Sequence, residues 1–249
     1  MYESTETDVS FNELKIICQE CRGKNINFCI IGGWAAYFYV NEVYRQAFGK
    51  DYIASRDIDL FFDPNQEDAF SKIIFGMGFE KNGLQFRYER IYHRESKKFI
   101  SINESKKEPP FNLIRIFLDL FSNKPTTAIN SWNDLEPLKN VYVENVGGYP
   151  LADINTLMEL KAICLFERDK ADKENKDACD FYSLLQYSRR RVNATILIKK
   201  AIEKLLSRPD LIDSIARNVV LDVGKNSIVE LTLQNNQKEL EEPGHYTSQ

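Results

Sequence analysis

The chain reads as an α+β protein, a mixed sheet with flanking helices followed by a mainly helical part. Three observations lead there. Apolar runs of strand length, Phe28 to Ile31, Arg56 to Phe62 and Phe111 to Phe121, alternate with segments of helical spacing in the first 148 residues. Beyond them, apolar residues recur three and four apart. Between the two regimes stands Gly147-Gly148-Tyr149-Pro150, a cluster of turn formers and the best domain boundary. We therefore expect a sheet domain over 1–148 and a helical domain over 149–249.

Taken in order, Ser10-x-x-Glu13 has the form of a capping box, and Phe11, Leu14, Ile17, Cys18 and Cys21 make a helical stripe behind it. Phe28 to Ile31 is a buried strand. Gly32-Gly33 turns the chain, and Trp34 to about Val43 is a helix. Tyr44 to Ser55 is polar and irregular, a loop over the site. Arg56 to Phe62 is a strand, and Pro64 opens a helix that ends near Gly76 and Gly78. Phe79 to Ile102 supplies two or three strands, and Asn103 to Pro110 is an exposed turn or loop. Phe111 to Phe121 is a long strand, and Val141 to Asn145 an edge strand. Helices follow over about Ile154 to Phe166, Glu174 to Tyr187, Val192 to Leu206 and Pro209 to Leu221. Ile228 to Leu233 reads as a late strand, and the last fifteen residues as a polar, frayed tail.

The 249 residues supply enough material for a substantial core, and the net charge of about -4 gives no global attraction for nucleic acid, so an RNA partner needs a local basic patch. The longest near-apolar run, Phe28 to Val40, contains two glycines and is too short to span a bilayer. The polar, acidic first twenty residues differ from a secretory signal, so the expected compartment is the cytoplasm, with no membrane partner. Cys18-x-x-Cys21 falls within a helix without a second ligand pair and reads as structural, and His93 and His245 are isolated.

The chemistry is concentrated in Asp57-Ile58-Asp59. Two carboxylates two residues apart in a strand project from one face, while Ile58, Leu60 and Phe62 point to the other. Such a pair is costly unless a cation neutralises it. Asp119 interrupts a second apolar strand between Leu118 and Leu120. Three acids converging on one point offer the hard oxygen ligands that Mg²⁺ prefers. Gly32-Gly33 permits close approach of a phosphate to the start of the following helix. A plain turn is the competing reading, since the glycine spacing matches neither a Walker motif nor a dinucleotide fingerprint. Ser55 can donate a hydroxyl to a phosphate. Arg56 serves either a salt bridge or a phosphate.

In the helical part, Leu157, Cys164 and Leu165 put Lys161 on the apolar stripe of its helix, so its ammonium must snorkel, pair or meet a ligand. It can hold a β- or γ-phosphate with Asp177 orienting it, or it can form a Lys–Asp pair between two helices. Asp180 reads as a helix-pairing carboxylate. Arg168, in a charged run, is a weaker phosphate candidate.

Gly32-Gly33, Asp57/Asp59 and Asp119 together resemble the nucleotidyltransferase superfamily that includes DNA polymerase beta. Ser55-Arg-Asp-Ile-Asp-Leu60, Leu157-x-x-Leu-Lys161 and Lys176-Asp177-x-x-Asp180 more closely resemble the AbiEii-like nucleotidyltransferase toxins. The resemblance covers about residues 28 to 187. It implies a polymerase-beta-like mixed sheet, Mg²⁺, as two ions, on Asp57, Asp59 and Asp119, and an NTP substrate. It also implies nucleotide contacts from Gly32, Gly33, Ser55, Arg56, Lys161 and Asp177, with Lys161 and Asp177 matching the helical-domain motifs. A glycine replaces the frequent serine at the second motif position. The expected activity is transfer of NMP from NTP to an acceptor hydroxyl on RNA, tRNA, protein or a small molecule, with an antitoxin protein as a further expected partner. The alternative is a noncatalytic nucleotide- or protein-binding module on the same fold.

Overall fold

The computed structural model describes residues 3–84, 86–131, 134–167 and 171–241. The chain divides into two compact units, one of residues 1–38 and 53–153 and one of residues 39–52 and 154–249.

The first unit opens with helix α1 (Ser4–Gly23), which buries Leu14, Ile17, Cys18 and Cys21 along one face. Burial pushes the thiols of Cys18 and Cys21 up to about 12, so both stay protonated and apolar at neutral pH, as structural cysteines do. The expected capping box is not a cap. The helix starts at Ser4, and Ser10 and Glu13 are buried within it. The Trp34 indole N–H donates to Ser10 Oγ, and Glu13 pairs with Arg90. Those polar side chains serve tertiary contacts, which the local pattern does not reveal. A true capping box occurs at Ser101 and Glu104, at the start of a short helix within the expected loop.

Strand β1 (Phe28–Ile31) is buried throughout and leads directly into helix α2 (Gly32–Phe48). This helix outruns the expected Val43, because Val40, Tyr44 and Phe48 continue its spacing by fours. It passes from the first unit into the second at Phe38/Tyr39. Strand β2 (Ile58–Phe62) alternates between buried and half-buried residues. Helix α3 (Glu67–Gly76) stacks Phe70 on Phe62, ring centroids 4.8 Å apart, and so covers the Ile58/Leu60/Phe62 face. Strands β3 (Glu80–Lys81), β4 (Arg87–His93) and β5 (Lys98–Ile100) follow. Helix α4 (Ile102–Ser105) comes next, and then the long strand β6 (Leu113–Phe121). Strands β7 (Val143–Val146) and β8 (Tyr149–Ala152) close the unit as a hairpin. Its turn is Gly147-Gly148, both at positive φ, where glycine alone is unstrained. The chain leaves this unit at Asp153, after β8 has paired in parallel with β1.

The strands make one mixed sheet in the order β3-β4-β6-β2-β1-β8-β7, with β5 also on β4. Strands β2 and β6 run parallel, whereas β1 and β4 run antiparallel to the strands beside them in this central part. Ile58, Leu60, Phe62, Ile116, Leu118 and Leu120 are fully buried and form the core under α1 and α3. The odd-numbered residues of β2 and β6 occupy the other face.

The second unit is helical: α5 (Ile154–Glu167), α6 (Ala171–Tyr187), α7 (Ile196–Leu206), α8 (Pro209–Ile215) with a π-helical turn at Ala216–Val220, and α9 (Asn226–Glu241). Residues 39–48 of α2 pack here, where the Tyr44 hydroxyl donates to the Val219 carbonyl at 2.8 Å. The late strand expected over Ile228 to Leu233 is instead part of α9. Its apolar run suits either structure, and burial of Val229 and Leu233 four residues apart decides for the helix. Arg168 lies outside the described residues, as does His245.

The Phe62–Phe70 stack carries the tie between sheet and α3. Phe62→Ala is expected to lower stability by about 3–5 kcal/mol, read as a lower urea midpoint at unchanged slope.

Candidate active site

Strand register assembles the site. Asp59 and Asp119 are directly paired across the parallel β2–β6 ladder, so both carboxylates project from one face of neighbouring strands. Asp57 precedes β2 by one residue, in a bend. Asp119 is buried, while Asp57 and Asp59 are half-buried. The opposite face of the same strands is closed by apolar packing, which leaves the acids on the face able to receive a ligand.

A residue that carries no motif completes this row. Arg87 of β4 is paired with Asp119 across the antiparallel β4–β6 ladder, so Asp59, Asp119 and Arg87 line up across three adjacent strands. The guanidinium grips Asp119 with both arms: Nε donates to Oδ1 at 2.7 Å and Nη2 to Oδ2 at 2.6 Å. It also lies 4.9 Å from the centroid of the Phe117 ring. The hydrogen bonds it donates to Asp119, with the charges of Asp119, Asp57 and Asp59, hold the Arg87 pKa above its ordinary value, against the effect of burial. Arg87 therefore senses all three acids. Nothing around Phe86-Arg-Tyr in the sequence marks it, since β4 itself is rich in charged and polar residues.

Gly32 and Gly33 are required by close approach. Gly32 begins α2 at φ +67°, and a Cβ there would lie 2.0 Å from Asp59 Oδ2. The Asp59 carboxylate thus rests against the amino end of α2, where the helix dipole favours negative charge. A Cβ on Gly33 would lie 2.7 Å from Ser55 Oγ. The Ser55 hydroxyl donates to the Asp57 carbonyl at 3.0 Å and so shapes the bend that delivers Asp57. Arg56 turns toward the acids, with Nε 3.4 Å from Asp57 Oδ1 and its guanidinium 5.9 Å from the Phe117 ring centroid. The strand starts only at Ile58, which frees Arg56 from the alternation that would have sent it to the other face.

Among the described residues, no group of three or more Asp, Glu, His or Cys side chains is placed to hold a metal ion. Asp119 is committed to Arg87. Asp57 and Asp59 remain suitable for Mg²⁺, which commonly takes one or two carboxylates and completes its shell with water and substrate phosphate.

Lys161 and Asp177 belong to the second unit. The Lys161 ammonium is 6% exposed and lies 2.8 Å from Asp177 Oδ1 and 2.8 Å from Asp180 Oδ2. Lys176 also reaches Asp180, as does the Tyr52 hydroxyl, which donates at 2.9 Å. Of the two roles open to Lys161 on sequence, the geometry displays the ion pair between helices α5 and α6. Burial alone would lower the Lys161 pKa, but Asp177 and Asp180 hold it well above the ordinary lysine value. Burial would likewise raise that of Asp180, and Lys161 and Lys176 bring it below the usual carboxylate range.

No family model and no curated protein matches the chain. Solved structures do. JHP933 from Helicobacter pylori aligns at TM-score 0.54 and 13% identity, over 97% of this chain and 95% of that one. An antigenic nucleotidyltransferase-like protein from Paracoccidioides brasiliensis aligns at TM-score 0.42 and 18% identity, over 86% and 93% of the two chains. The antibiotic-resistance factor ANT(2'')-Ia aligns at TM-score 0.41 and 12% identity, over 96% and 97%. The first likeness establishes a shared fold across nearly the whole of both chains; at their scores the other two establish nothing further.

Gly32→Ala is expected to cost about 1–2 kcal/mol of stability through its left-handed backbone, measured by urea unfolding, and to displace the Asp59 carboxylate. Asp180→Ala removes the carboxylate that Lys161 and Lys176 share, leaving Lys161 with Asp177 alone, and is expected to cost about 3 kcal/mol. Because the folded pKa of Asp180 is depressed, its contribution is fully present above the unfolded value of about 3.9 and is lost as pH falls through the folded value. Stability curves from pH 5 to 2 should show that acid slope in the wild type and lack its Asp180 component in the variant.

Proposed function

We propose that this chain is a divalent-metal-dependent nucleotidyltransferase that moves NMP from an NTP to an acceptor hydroxyl. The single observation carrying this reading is the register of Asp59 with Asp119, with Asp57 two residues before Asp59, beside the amino end of α2. The residue resemblance to the polymerase-beta superfamily points the same way, and more narrowly to its AbiEii-like toxins.

In this reading Asp57 and Asp59 bind the ion and present it to the triphosphate. When bound between Asp57 and Asp59, a divalent ion would supply the acidity that lowers the pKa of the attacking hydroxyl and would offset charge on the departing pyrophosphate. The acceptor oxygen forms its bond to the α-phosphorus as the bond to the β-phosphate oxygen breaks. Pyrophosphate leaves, and the acceptor proton passes to a carboxylate of the cluster or to water. Arg56, beside Asp57, is positioned to meet phosphate charge. Gly32 lets the chain pass close to the Asp59 carboxylate, Gly33 lets it pass close to Ser55, and Ser55 holds the bend. Lys161 and Asp177 serve as a strut of the helical unit, and contact with a phosphate would require that pair to open. Candidate acceptors are RNA, including tRNA, protein or a small molecule; in the toxin reading, an antitoxin protein blocks the site. No helix among the described residues is long and apolar enough to cross a membrane.

Incubation with each labelled NTP, Mg²⁺ and total RNA, with protein products also resolved, should release pyrophosphate and leave labelled product. Replacing Asp57 and Asp59 together by Asn should reduce transfer by about a thousandfold or more, on the scale expected from losing several kcal/mol of transition-state stabilisation. Persistent transfer in the double variant would remove the site assignment. NTP binding without any transfer would favour the noncatalytic binding module.

A further inference from the structure

We propose that Arg87 takes the place of one divalent cation in the carboxylate cluster, so that this site accepts a single ion, on Asp57 and Asp59, where a two-ion arrangement would also use Asp119 as a ligand. The inference rests on the transferase reading above and deepens it by stating the ion stoichiometry and the residue that sets it.

Three features of the cluster lead to this. The first is lone-pair occupancy. Both Asp119 oxygens accept from Arg87, at 2.7 and 2.6 Å in the side-by-side geometry of a bidentate pair. That grip uses one lone pair of each oxygen and blocks the approach along which a second metal would be chelated. The second is charge. The three carboxylates of Asp57, Asp59 and Asp119 face the guanidinium groups of Arg87 and Arg56, which leaves one net negative charge in the cluster. One divalent ion reverses that balance by a single charge, whereas a second would leave a strongly positive cluster before any nucleotide arrived. The third is rigidity. Arg87 is paired with Asp119 in the strand ladder, its side chain is only 19% exposed, and Phe117 stands under its guanidinium. Release of Asp119 would leave a mostly buried guanidinium without its carboxylate. Arg87 is thus a positioning residue that holds Asp119 and supplies a permanent positive charge.

The test counts ions. Full-length chain stripped of metal is titrated with Mn²⁺ in the absence of nucleotide, free Mn²⁺ being followed by electron paramagnetic resonance. The wild type should bind one Mn²⁺ per chain. Arg87→Ala should bind two, because Asp119 is released and the cluster loses a positive charge. Arg87→Lys, which keeps the charge, should bind one. Saturating Mn²⁺ should also raise the melting temperature of Arg87→Ala more than that of the wild type, since the ions replace the missing charge. Two ions in the wild type overturn the inference and leave the transferase reading standing, as does an Arg87→Ala protein that folds yet still binds one. The wild-type count decides the matter even if Arg87→Ala fails to fold. Absence of bound Mn²⁺ overturns the single-ion site; only if NMP transfer is also absent does the transferase reading fall with it.

Discussion

The first unit is organised around a row of like charges that cannot exist without a counter-charge. Asp59 and Asp119 stand directly across a strand ladder from one another, and Asp57 sits in the bend that leads into the first of those strands. Adjacent strands lie about 4.8 Å apart, so the repulsion between ionised carboxylates at that spacing is substantial in a partly dry site. The structure meets it in three ways. Arg87 clasps Asp119, Arg56 lies beside Asp57, and Asp59 rests on the positive end of α2.

That arrangement needs a sheet with two different faces. Ile58, Leu60, Leu118 and Leu120 commit one face to the core, with Phe62 anchoring it through Phe70 of α3. The strict period of two then puts Asp59 and Asp119 on the opposite face, beside the Phe117 ring. The approach of Asp59 to the backbone depends on Gly32, because even one methyl group there would collide with the carboxylate. Apolar packing, glycine and the charged row are therefore one device, and a change in any of them moves the others.

The helical unit treats buried charge in the opposite manner. Lys161, Lys176, Asp177, Asp180 and the Tyr52 hydroxyl pair with one another in a largely buried group. A buried ionic network of this kind costs much to break and gives little when whole compared with apolar packing, so it specifies how α5 and α6 pair more than it adds stability. The Asp57/Asp59/Asp119 row differs in that Asp57 and Asp59 remain half-buried and accessible to an ion or phosphate.

The strands bearing the acids, the helices around them and the mainly helical character of the second unit were all legible in the sequence, because period-2 and period-3.6 patterns are local properties of the chain. The sequence also placed Asp59 on the face opposite Ile58 and Leu60, but Asp57 lies in the bend before the strand, where spacing alone does not fix its direction. Apolar runs without a clear period were not legible: Ile228 to Leu233 satisfies strand and helix equally, and only the burial of Val229 and Leu233 selects the helix. Ser10 and Glu13 matched a local cap, yet Trp34 and Arg90, far along the chain, claim them. Arg87 was invisible for the same reason. Its meaning lies in being opposite Asp119, and register between strands thirty residues apart is set by the packing of the whole sheet, which no local pattern encodes. By itself the sequence determined which residues carry charge and which face of each element they share; the tertiary structure alone decided which charges meet, because pairing is a long-range consequence of burying the other face.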